Sequence, residues 1–244
     1  MLPPYTLLQN RRMNRGFLIW AGLFFLFANP TFSQFNEKPI INLQNEDKAF
    51  LNWGYYLGFN IFDFKLDYKN DLEPILIETT VGFNVGLIGE MRINNHLDLR
   101  FEPGLFYSQR TIGFPGFTED NDAIRNVKST YISFPFLIKA SAKRIGNWKP
   151  FIVGGVGPSL NLGSSEDSLD DNASGTFRMK KNVLNYELGF GIDFYTEYFK
   201  FTPSIRGVFA LTDELVPDND PNSPWTGNIE ALVTRGFFIN FTFE

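Results

Sequence analysis

ALVTRGFFINFTFE occupies residues 231–244 of a 244-residue chain. Phe237, Ile239, Phe241 and Phe243 stand on alternate positions, with Asn240 and Thr242 between them. Side chains of a strand point alternately to its two faces, so this spacing makes one greasy face and one small or polar face. The stretch therefore reads as a strand that must pair, with Ala231, Val233 and the four alternating residues on the outer face and Thr234, Gly236, Asn240 and Thr242 on the inner one. Arg235 falls with the outer set. A charge at mid-bilayer is costly, so its side chain is expected to snorkel or to lie near a membrane edge.

The same period of two runs through the chain, and no segment of ten or more residues keeps a 3.6 period. Trp53, Tyr55, Leu57, Phe59 and Ile61 alternate with Gly54, Gly58 and Asn60. Val81, Phe83, Val85 and Leu87 alternate with Gly82, Asn84 and Gly86, and Leu97, Leu99 and Phe101 with Asp98, Arg100 and Glu102. Comparable segments follow around Ile132, Leu184 and Phe199, while residues 150–162 are the least regular. With 28 Phe, 21 Gly and 14 Pro, composition also favours strands and turns. The expected fold is all-β, an antiparallel transmembrane β-barrel of about eight strands, each near the ten residues a tilted strand needs to cross a bilayer.

Connections alternate in length. Those at Asn94, Asn95 and His96, at residues 143–148 and near Glu197 are compact, whereas residues 65–74, 111–128, 163–181 and 213–228 make long links. Short periplasmic turns and long extracellular loops, the latter carrying Glu166, Asp167, Asp170, Asp171, Asp218 and Asp220, fit an outer-membrane barrel. A secreted lipocalin-like barrel or sandwich alternates too, with its apolar face inward, and periodicity alone does not say which face is inside. An export signal, an even strand number, alternating loop lengths and aromatic strand ends together favour the membrane version.

The export signal is read from Arg11, Arg12 and Arg15 ahead of an apolar run at residues 17–28, then Thr31 and Ser33 as the small residues at a cleavage site. Cleavage is expected between Ser33 and Gln34, since the run is short for a helical span of about twenty residues. Residues 1–33 are thus a signal peptide, with residues 1–12 either a mis-assigned start ahead of Met13 or a long basic leader. Residues 34–52 form a periplasmic N-terminal segment and residues 53–244 the barrel. Loss of residues 1–33 takes three of the 22 basic residues and none of the 27 acidic ones, leaving 19 against 27 and a formal charge of −8. Nucleic acid is not an expected partner. Zero Cys excludes disulfides, thiolate metal sites and a cysteine nucleophile.

If the polar face lines the lumen, Glu90, Arg92, Asp98, Arg100, Glu102, Lys139, Glu187, Asp193, Lys200 and Arg206 point into a barrel narrow enough for side chains to fill. Both signs of charge are present, and unpaired charge there is costly, so a paired interior charge network is expected rather than a general pore. His96, the single histidine, sits in a tight turn without the partners of a triad or metal site. Asp218 and Asp220 lack the glycine and distal Glu of a calcium loop, and a solvated acidic loop is expected there. No catalytic residue, metal site or cofactor is expected. The glycines at 154, 155, 157, 189 and 191 sit in strands, where they relieve crowding in a small barrel.

PIINLQNEDKAFLNWGYYLGFNIFDFKLDY, residues 39–68, resembles the start of the mature PorT (SprT) proteins of the type IX secretion and gliding systems. The match lies in Asn42 and Leu43, Asp47 and Lys48, Trp53 and Gly54, Leu57 to Asn60, and Asp63 and Phe64. It extends through the mature chain, with Trp148 to Phe151 and Val153 to Gly155 adding to it, while Asn52 stands where such proteins often carry histidine. The resemblance implies a non-enzymatic outer-membrane barrel needed for protein export to the cell surface and for gliding motility, with other secretion components as partners. The alternative is a generic small outer-membrane barrel of structural or adhesive role; a barrel enzyme acting on lipid or peptide is a third. The aromatic ending, Phe237, Ile239, Phe241 and Phe243, also resembles the C-terminal signal read by barrel-assembly machinery, displaced one place inward by Glu244. That machinery and outer-membrane lipid are therefore expected partners.

Overall fold

A computed structural model describes residues 40–70, 73–117, 119–168 and 176–244. The proposed signal peptide, its cleavage point at Ser33 and Gln34, and the loop acids Asp170 and Asp171 lie outside the described residues. Among the described residues no helix is long and apolar enough to cross a membrane. The described residues form one antiparallel sheet of eleven strands: β1 (Leu51–Tyr68), β2 (Leu76–Thr79), β3 (Val81–Arg92), β4 (Leu97–Phe101), β5 (Gly104–Gly113), β6 (Ile124–Ser133), β7 (Phe136–Ser141), β8 (Trp148–Asn161), β9 (Asn182–Tyr195), β10 (Lys200–Ala210) and β11 (Ile229–Phe243). The described residues also include a 3-10 turn at Glu46–Lys48 and a four-residue helix at Asp120–Ala123.

The sheet closes on itself. β1 pairs with β3 on one side and with β11 on the other, Tyr55 opposite Phe243 and Ile61 opposite Phe237, and β8 pairs with β9. First and last strands thus cover each other's edges, which a lipid solvent requires because it offers no hydrogen bonds to an open edge.

Eleven strands stand where about eight were expected, and the excess has a physical origin. β4 and β5 follow one another in the same direction with Glu102 and Pro103 between them, as do β6 and β7 around Phe134 and Pro135. Register is unchanged across both breaks, from Phe101 opposite Phe136 to Gly104 opposite Ser133. Each proline removes one ladder donor, and the Glu102 amide bridges the gap by donating to the Pro135 carbonyl at 3.2 Å. β2 and β3 are split at Thr80, where the register against β5 shifts by one residue.

The two faces are inverted relative to a water-soluble protein. Trp53 is 69% exposed, Leu87 64% and Phe237 63%, whereas Arg100 is 2% exposed, Glu102 1% and Lys139 1%. Apolar side chains point outward and charges inward along the same strands. β8 is irregular in sequence because it is apolar on both faces: Ile152 and Val156 point out while Phe151 and Val153 pack inside with Leu137. Of the glycines expected to relieve crowding, Gly189 and Gly191 do so against inward side chains: an added Cβ would run into Arg206 at the first and into the Phe151 ring at the second. Two further glycines act alike. A Cβ at Gly104 or Gly86 would overlap the ring of Tyr56, which lies across the lumen wall.

β1 has 18 residues, about 60 Å at 3.3 Å each, and at a tilt of roughly 40° it rises well beyond an apolar band of about 25 Å. The pair Asp63 and Arg235, opposite each other on β1 and β11, stands where the outward apolar run of β1 gives way to Lys65 and Asp67: Arg235 Nη2 lies 2.7 Å from Asp63 Oδ2. Arg235 is therefore outward as expected and is compensated by a cross-strand acid, near the edge where the penalty of roughly 2–4 kcal/mol for a mid-membrane arginine no longer applies.

Connections at the end where β1 begins, residues 93–96, 142–147 and 196–199, are short; those at the other end, residues 69–75, 114–123, 162–181 and 211–228, are long. The long connections bring Phe114, Phe177, Met179 and Leu215 onto Phe64, Ile112 and Leu232 in an apolar cap, with Phe117 stacked on Trp225.

Candidate functional site

The lumen at the short-turn end holds a continuous ion-pair network. Arg100 on β4 lies 3.2 Å from Glu90 on β3 and 3.0 Å from Glu102. Lys139 on β7 bridges Glu90 at 3.2 Å and Asp193 on β9 at 2.8 Å. Arg206 on β10 meets Glu187 on β9 at 3.1 Å and crosses the lumen to Glu102. Lys200 reaches Glu90 at 3.5 Å, and the Thr202 hydroxyl donates to Asp193 Oδ1 at 2.8 Å. Lys139 also lies 4.5 Å from the Phe151 ring centre. Removing one partner of such buried pairs leaves an uncompensated charge, so the set holds opposite walls together.

Period two brings nine of the ten expected charges into the buried lumen. Arg92 is the exception. It closes β3, where the strand leaves the barrel, and its guanidinium turns to the Asn94 carbonyl at 3.3 Å and Asn95 Oδ1 at 2.9 Å instead of joining the network. Asp98 is buried and borders a small cavity with Glu90, Lys149 and Lys200. Phe237, Ile239, Phe241 and Phe243 point outward on β11, Phe243 stacked with Tyr55 and Phe241 with Phe201. His96 is an exposed turn residue, its Nδ1 3.1 Å from the Ser141 carbonyl.

Sequence reading missed several members. Glu244 points inward, 3.3 Å from Arg100 and 2.5 Å from Lys200; its place two beyond Thr242 put it on the inner face. Arg110 continues the inward face of β5 and is wholly buried, donating to Ser129 Oγ at 2.8 Å and stacking on Phe64 at 3.7 Å. Tyr131 donates to Glu214 at 3.3 Å, and Glu214 accepts the Thr234 amide at 2.8 Å, drawing the long connection 211–228 into the lumen. No periodicity could flag Glu214, which belongs to no strand. Asp218, expected in a solvated loop, is instead buried beside Arg178 at 3.4 Å and takes the Ser223 hydroxyl, because the apolar cap folds that connection inward.

A second polar cluster closes the short-turn mouth. Residues 40–50 cross it as a strap. Asp47 Oδ2 accepts Arg144 Nη1 at 2.9 Å, Asp47 Oδ1 accepts the Tyr195 hydroxyl at 2.7 Å, and Lys149 stands 3.6 Å away. Burial alone would raise the Asp47 pKa, but the Arg144 and Tyr195 hydrogen bonds and the charges of Lys149 and Arg144 outweigh it and hold the carboxyl below its ordinary value. Asn42 donates to Asn147 Oδ1 at 3.0 Å and to the Tyr195 carbonyl at 3.1 Å. The Asn42 and Leu43 carbonyls accept from Arg144, and Leu43 adopts φ +46°, a left-handed conformation costing about 1 kcal/mol or more for a residue with a Cβ.

A closed sheet with charges inside and aromatics outside is the architecture of a barrel solvated by lipid. The family of the outer membrane protein beta-barrel domain matches residues 32–216. The chain belongs to that family. No curated protein sequence matches it. Among solved structures it is similar to the outer membrane protein OprG from Pseudomonas aeruginosa, at 13% identity and a TM-score of 0.49 over 80% of this chain and 95% of that one. It is also similar to Neisserial surface protein A, at 9% identity and a TM-score of 0.40 over 77% and 95%. Ail, the attachment invasion locus protein of Yersinia pestis, gives 14% identity and a TM-score of 0.35 over 78% and 96%. Family membership and the inverted faces put this outer membrane barrel protein in the outer membrane of a Gram-negative bacterium.

Proposed function

We propose that this protein is a non-enzymatic β-barrel component of the type IX secretion machinery, needed to deliver proteins to the cell surface and for gliding motility. In this reading the chain crosses the membrane eight times, β2 with β3, β4 with β5 and β6 with β7 each making one pass. The short turns and the strap face the periplasm and the long loops the exterior. A cleaved signal peptide exports it, barrel-assembly machinery inserts it, and its partners are membrane lipid and other secretion components. The observation that supports the reading is that the resemblance to PorT proteins rests on residues that meet in space. Asn42 and Asp47 at the start of the resembling stretch contact Asn147, Lys149 and Tyr195 from a hundred residues or more further on, where Trp148 to Phe151 carry the second part of the resemblance.

Deleting the gene should abolish surface delivery of secreted proteins and colony spreading, both restored by the intact gene. Normal secretion and spreading in the deletion strain would remove this reading in favour of a second, a structural barrel with no part in secretion. The filled lumen favours that second reading to the extent that it needs no cargo path.

A further inference from the structure

The strap is held by polar contacts with little apolar burial. Its 3-10 turn buries no residue, and Ile40 and Phe50 are exposed. What retains it is a set of polar contacts converging on Arg144, Asn147, Lys149 and Tyr195. Elements with few buried apolar contacts open at low free energy while the surrounding core stays folded.

The seat, by contrast, is preorganised. The Arg144 guanidinium lies 3.6 Å from the Tyr195 ring centre and its Nε donates to the Gly146 carbonyl at 2.8 Å, which fixes the fork independently of the strap. Guanidinium, phenol and ammonium converge on one carboxylate, and Arg144 and Tyr195 each take a different oxygen of it. Charge-assisted bonds of this kind recognise a carboxylate without reading the rest of the chain that carries it. Under the strap lies the cavity lined by Asn52, Glu90, Asp98, Lys149, Asp193 and Lys200.

We propose that Arg144, Tyr195 and Lys149 form a carboxylate-binding site whose resident ligand, Asp47, is exchangeable, so that an acidic peptide segment taking the seat lifts the strap and uncovers the cavity beneath it. The site goes beyond the secretion reading and does not depend on it.

The test uses the full chain in detergent with Asn52→Cys as its single thiol, since the native sequence has no cysteine. The labelling rate by a bulky maleimide reads exposure of the cavity. Adding Asp47→Asn should raise the rate about tenfold or more, as loss of charge-assisted bonds implies. On the Asp47 background, a synthetic peptide of residues 40–50 should raise the rate saturably, and the same peptide carrying Asp47→Asn should not. The peptide arm needs no variant of the strap, so it stands even where Asp47→Asn impairs folding. Equal effects of the two peptides, or no effect of either, would overturn the proposal, as would a rate insensitive to Asp47→Asn in a folded barrel.

Discussion

A carboxylate at the end of an inward face must be paired inside the lumen or remain a buried charge, and Glu244 is paired twice, with Arg100 and Lys200. Replacing it by Gln keeps the shape and removes the charge, leaving both cations to compete for Glu90, Glu102 and Asp193. Breaking a buried pair from one side costs about 3 kcal/mol or more, so Glu244→Gln should lower the urea midpoint of unfolding from lipid vesicles, followed by tryptophan fluorescence. Arg235→Ala removes an exposed pair and should cost no more than about 1 kcal/mol; equal losses in the two variants would contradict the assignment of Glu244 to the lumen. Asp47 supplies a pH dependence whose sign is fixed. Its folded pKa lies below the unfolded value, so its contribution to strap closure is complete above about pH 4, the ordinary aspartate range, and fades only as pH falls through the lowered value. In an NMR titration of the protein in micelles, the Asn42 amide signal should hold its position down to about pH 4 and shift below it, and Asp47→Asn should abolish that step.

Among the elements, β11 carries the closure. Its last residues are opposite Tyr55 to Gly58 of β1 and Phe201 to Ser204 of β10, so deleting residues 240–244 exposes two edges and also removes Glu244. The truncated chain should fail to reach a protease-resistant, heat-modifiable form in the membrane, whereas trimming a frayed tail would leave that form intact. The strands and their faces were legible because period two is a local property, and lipid and lumen sort side chains at every step. What was not legible depends on contacts between distant segments. Arg92 shares the parity of Glu90, yet it sits where β3 ends, and a neighbouring turn takes it. Asp47, Arg144 and Glu214 lie outside the strand pattern and meet their partners only after closure. The breaks at Pro103 and Pro135 were not read either, because the alternation runs on through them and the unchanged register appears only in the pairing of the strands they face.

For the molecule as a whole, the question is where the seal lies. In the closed ring β10 stands opposite β4, and the contact of Arg206 with Glu102 therefore runs from wall to wall, with Arg100, Glu90, Lys139 and Asp193 completing a layer across the lumen. An ion moving along the axis would have to break several charge-assisted pairs at once among side chains buried from solvent, each worth more there than at a surface. The strap lies outside this layer, towards the short-turn mouth. Planar-bilayer recordings should accordingly find no stable large conductance in the native protein, and none in Asp47→Asn either, because lifting the strap uncovers the cavity and not a path. Combining Arg206→Ala with Arg100→Ala, by contrast, removes cations from both walls of the layer and should admit small cations past the remaining Glu90, Glu102 and Glu187 if the barrel still assembles. A conductance that appears with Asp47→Asn alone would move the seal from the network to the strap.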